Sequence, residues 1–184
     1  MPEVKSYHPA LVVLHWLLAV AILGMFALGF FVLDEMKSTD PQKAGLSILH
    51  IIGGIVILVL TIAQLVIRVK KPRPAPIVTG KPLVDKLATG VHHLLYTLTV
   101  LVIVAGLVLA FSADLFAILF SHTGTLPKDF EDFTSHDIHG YLANGLIAVV
   151  ALHLAGALYH QFILKDNIFA RMSLVDRSNN NITD

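Results

Sequence analysis

Between Leu11 and Leu33 the chain runs through 23 residues without one charged side chain. A helix crossing a hydrocarbon core of ~30 Å needs about 20 such residues. The run is too long for the ~7–15-residue apolar region of a signal peptide, and no A-x-A cleavage site follows it. It is therefore expected to be a membrane span, with Tyr7 and Trp16 suited to the interface near its start. Three further stretches repeat the pattern, so the spans are predicted at about 10–33, 46–69, 87–111 and 136–163. In lipid every backbone polar group has to be satisfied within the segment, which makes these stretches helices. The expectation is an all-α fold, a single domain over residues 1–184 in which four membrane-spanning helices form a bundle.

Composition agrees. The chain is 55% hydrophobic and 14% charged, with a mean hydropathy of +0.75, too apolar for a soluble domain of this length. Its net charge is zero, which offers no basic surface to nucleic acid. It has no cysteine, which excludes disulfides, thiolate-bound iron–sulfur clusters and covalent c-type haem. The connection KKPRPAPIVTGKP, residues 70–82, is too rich in proline and lysine for a buried helix. LFAILF, residues 115–120, is too short to cross and is expected at the interface or on the bundle.

Lysine and arginine set the orientation. Ten of the 13 fall on the side shared by the N-terminus (Lys5), the second connection (Arg68 to Lys86) and the tail (Lys165, Arg171, Arg177). Lys37, Lys43 and Lys128 fall on the other side, with eight of the 13 acidic residues. Both termini are predicted to be cytoplasmic. The sequon Asn181-Ile182-Thr183 is then a chance match on the inner side.

Histidines inside the spans carry the chemistry. An ionisable group in a membrane helix is costly and marks a functional site by default. His139, His153 and His160 stand 14 and 7 residues apart. At about 100° per residue they share one stripe, with His139 and His153 separated by about 21 Å along the axis. His15 on the first span lies at the depth of His153, and His50 on the second at the depth of His139. Two pairs between different helices follow: His15 with His153 toward the inner face, His50 with His139 toward the outer face. Each pair offers two ligands where zinc takes four, or three plus water. Two imidazoles on facing helices suit bis-histidine haem. A single intramembrane histidine ordinarily makes an interhelical hydrogen bond, but four paired by depth point to two metal centres. His92 and His160 lie shallower and are given supporting positions at a haem edge. Arg68 and Lys86 are candidates for inner haem propionates, against their commoner use as inside-positive anchors. Tyr96 is a candidate quinone hydrogen-bond donor, although packing is its simpler use. His8, His93, His122 and His136 lie near helix boundaries and receive no role.

The segments LHWLLA (14–19), LHIIGG (49–54), HHLLY (92–96), HGYLAN (139–144) and YHQFILKDNIFARM (159–172) resemble the bacterial cytochrome b561 family. The likeness covers nearly the whole chain apart from the third connection and the last dozen residues. It implies a four-helix protein of the bacterial inner membrane with two non-covalent b haems. The axial ligands would then be His15, His50, His139 and His153. It further implies electron transfer, in one described type from superoxide outside to ubiquinone. A protein partner is then not required. Related cytochromes serve instead as the membrane subunit of a dehydrogenase. A rival of another class is a non-redox membrane protein whose histidines bind or move a metal ion.

Overall fold

The structure, a computed structural model, describes residues 6–75, 82–121 and 123–174. Lys5, Lys81, His122, Arg177 and the 181–183 sequon lie outside the described residues. Six helices follow in order. They are α1 (Pro9–Leu33, its last turn a π-helical stretch Gly29–Leu33), α2 (Lys43–Lys70), α3 (Pro82–Ser112), α4 (Leu115–Phe120), α5 (Thr134–Leu164, ending in a π-helical stretch Tyr159–Leu164) and α6 (Ile168–Arg171). Four of them, α1, α2, α3 and α5, are long and apolar enough to cross a membrane. Among the described residues there is no strand.

Local chemistry sets the helix ends. Pro9 opens α1, where its missing N–H costs nothing, and His8 Nδ1 accepts from the Ala10 N–H at 3.2 Å. Asp40 holds the turn into α2 by accepting from the Gln42 N–H at 2.8 Å. This turn lets α2 begin at Lys43, ahead of the apolar run that starts near Leu46. Lys71 leaves α2 extended at φ −103° and ψ 146°, as a residue before proline must. Pro82 opens α3 and Asp85 stands in its first turn, favourable at the positive end of the helix dipole. Lys165 and Asn167 both adopt left-handed backbone, at φ 57° and 53°, and turn the chain out of α5 into α6.

The long helices form a ring in which α3 packs along α5 and α1 along α2. Leu18 of α1, Ile57 of α2 and Ile103 of α3 make a buried layer at mid-height. A second cluster, at the end of the bundle where α3 meets α4, joins Ala110 and Ala113 to Leu115 and Leu119 of α4, backed by Ile48 and Ile51 of α2. Thus α4 is packed on the bundle. Large apolar residues such as Val20, Phe31, Val59 and Leu154 point away from the protein, toward what is acyl chain in a bilayer.

The chain ends meet. The Tyr7 N–H donates to the Arg171 carbonyl at 3.0 Å, and the Trp16 indole N–H to the Met172 carbonyl at 3.1 Å. Arg171 donates to the Ala75 carbonyl at 2.7 Å. The start of α1, the second connection and α6 therefore share one end of the bundle.

Candidate paired-histidine centres

Two histidine pairs lie inside the bundle. The rings of His15 (α1) and His153 (α5) have centroids 6.1 Å apart. Those of His50 (α2) and His139 (α5) are also 6.1 Å apart. An imidazole nitrogen binds a metal at about 2 Å, so two such rings on opposite sides of one ion have centroids roughly 6 Å apart. Both pairs fit that spacing. Helical rise places the two levels about 21 Å apart along α5, with the Leu18–Ile57–Ile103 layer between them.

The His50–His139 pair opens on a cavity of about 470 Å³ lined by all four long helices. His139 Nδ1–H donates to the Val102 carbonyl of α3 at 2.9 Å. That bond fixes the tautomer and leaves Nε2 free as a ligand, the usual second partner of a metal-bound histidine. His50 Nδ1 is buried with no hydrogen-bond partner among the described residues. Both rings lie against glycine. A Cβ on Gly106 would come within 2.9 Å of His139 Cε1 and 3.0 Å of its Nδ1, and one on Gly29 within 3.1 Å of His50 Cε1. Each glycine thus lets a neighbouring helix approach the imidazole edge. We expect Gly106→Val to displace His139, costing about 1–3 kcal/mol of overpacking, read as a lower melting temperature of the purified protein. An unchanged melting temperature would mean that the ring has room to spare.

At the cavity mouth Ser38 Oγ–H donates to the Lys128 carbonyl at 3.2 Å, tying the first connection to the third. Lys37, Lys43 and Lys128 line the cavity with Asp34, Asp129 and Glu131. Lys43 is only 7% exposed; its ammonium donates to the Met36 carbonyl at 2.6 Å and lies 5.2 Å from the Phe130 ring centroid.

The His15–His153 pair has a third neighbour. His92 of α3 stands edge-on to His153 with centroids 5.0 Å apart. His160 is elsewhere: its Nδ1 lies 2.7 Å from Asp166 Oδ2, where the π-helical stretch and the left-handed Lys165 bring the aspartate back against the helix. Tyr96 and Arg68 both line a separate pocket. Lys86 is an exposed residue early in α3. Among the described residues no three or more His, Asp or Glu gather in a metal-holding group.

Sequence reasoning missed Gly29, the His160–Asp166 pair and the burial of Lys43. The lysine–aspartate–asparagine turn after His160 was the available signal for the second.

The family model described as prokaryotic cytochrome b561 matches residues 6–173. Three curated relatives match along most of their length. A probable superoxide oxidase CybB of Yersinia pestis is 27% identical, covering 91% of this chain and 96% of the relative. A cytochrome b562 of Cereibacter sphaeroides is 27% identical, covering 94% and 98%. Cytochrome b561 homolog 2 of Escherichia coli is 28% identical, covering 86% of each.

Proposed function

The chain belongs to the prokaryotic cytochrome b561 family of electron-transferring membrane haem proteins, and on that premise we propose that it holds two b haems and passes electrons from superoxide to ubiquinone. The observation that carries this reading is the repeated 6.1 Å spacing of His15–His153 and His50–His139. The superoxide assignment leans on the relative named a probable superoxide oxidase.

Bound at these pairs, haem supplies one-electron redox chemistry, while the protein sets access, orientation and potential. His50 and His139 hold the outer group and His15 and His153 the inner one. Val102 orients His139 through its Nδ1–H. Leu18, Ile57 and Ile103 keep the path between the levels dry. Lys37 and Lys128 offset the carboxylates at the mouth where an anionic donor approaches. His92 adjusts the inner centre through its contact with His153. Overall, two superoxide ions each lose one electron to give dioxygen, and ubiquinone takes both electrons and two protons. In this reading His160, paired with Asp166, is the candidate to pass those protons. The chain needs no protein partner in this reading, and it sits in the bacterial inner membrane with both ends cytoplasmic.

Two experiments test the frame. The purified protein should show a Soret band, a reduced b-type α band and two haems per chain by pyridine haemochrome. A spectrum without haem bands would end the reading in favour of non-redox metal binding. Reporter fusions after residue 75 and at the C-terminus should report cytoplasm, and one near residue 126 the outside. A periplasmic C-terminus would invert every statement about inner and outer centres.

A further inference from the structure

A second pocket, of about 360 Å³, lies between the end of α2 and the middle of α3. It is lined by Leu65, Arg68, Val69, Lys71, Arg73, His93 and Tyr96, so three cations converge with no carboxylate among the lining side chains. Among the described residues none of these cations is paired with an acid. The Arg68 guanidinium brings five N–H donors to this wall, beside the Tyr96 phenol.

Inside-positive residues are ordinarily scattered anchors at the water boundary. These instead rim a concavity with Leu65 and Val69 on its apolar side, and Val69 is 85% exposed on the surface of the bundle. A cationic mouth over an apolar wall that continues into the lipid-facing surface fits a group that is anionic at one end and acyl at the other. The C-terminal dipole of α2 opposes an anion by about half a charge; three full positive charges exceed it.

We propose that the pocket formed by Arg68, Lys71, Arg73 and Tyr96 seats the phosphate headgroup of an anionic phospholipid. The guanidinium and ammonium groups take the phosphate oxygens, and Val69 and Leu65 receive the first part of an acyl chain. Basic pockets between spanning helices on the inner side are suited to such headgroups. Free phosphate shares the charge but makes no use of the apolar wall.

The test is native mass spectrometry of the delipidated, haem-loaded full chain with tetraoleoyl cardiolipin, dioleoylphosphatidylglycerol or dioleoylphosphatidylcholine. The two anionic lipids should be retained and the zwitterionic one lost. Lys71→Gln with Arg73→Gln should weaken retention roughly thirtyfold, at the loss expected for two cations near a membrane surface. Lys37→Gln with Lys128→Gln, the same charge change at the other end, should leave it intact. Equal retention of phosphatidylcholine, equal loss in both double variants, or displacement by millimolar inorganic phosphate would overturn the proposal. Displacement by ubiquinone would overturn it too, and would identify the pocket as a quinone site.

Discussion

Replacing His139 with alanine should lower the haem content from the proposed two per chain toward one. The outer pair is built between α2 and α5, and the inner between α1 and α5. Losing one ligand of the outer pair therefore leaves the inner pair whole, some 21 Å away. His50→Ala should remove the same haem, and the double variant should be no worse than either single one, since both residues serve one group. Pyridine haemochrome analysis gives the ratio directly. An unchanged ratio in His139→Ala would exclude it as a ligand. A double variant that loses both haems, each single variant having lost a different one, would break the pairing.

His15→Ala should uncouple the two ends of the protein. The inner haem would be lost with one of its ligands, while the outer centre, its cavity and the charged mouth stay intact. Superoxide should then still reduce the remaining haem, but added ubiquinone should fail to reoxidise it. His92 sharpens the test, because its ring is nearer to His153 than the His15 ring is. His92→Leu should keep both haems and shift only the potential of the inner one. Loss of the inner haem in His92→Leu with retention in His15→Ala would exchange their roles.

Much of the frame was legible in the sequence because lipid leaves few options. Uncharged runs longer than a bilayer is thick have to be helices, and the four long helices occupy those runs. The grouping of histidines followed from helical rise and phase. His15 with His153, and His50 with His139, come together at one common spacing. What stayed hidden depends on details that periodicity does not carry. Gly29 stands against His50, but one close approach of a backbone leaves no periodic trace. His92 reads as shallower than His153 in the sequence, yet its ring centroid stands 5.0 Å from that of His153, because counting residues from Lys86 does not fix how α3 sits against α5. Asp166 meets His160 only because the end of α5 becomes π-helical and Lys165 turns left-handed. The depth of Lys43 depends on where Asp40 starts the helix and on Phe130, which is 87 positions further along.

In the proposed path electrons enter at the outer centre and leave to quinone. Stopped-flow absorbance of the purified, oxidised protein after a superoxide pulse follows both steps. Fast appearance of the reduced α band, abolished by superoxide dismutase and followed by reoxidation on adding ubiquinone, is the expected result. Slow reduction, or reduction insensitive to the dismutase, would contradict it and point to a dehydrogenase partner as the donor.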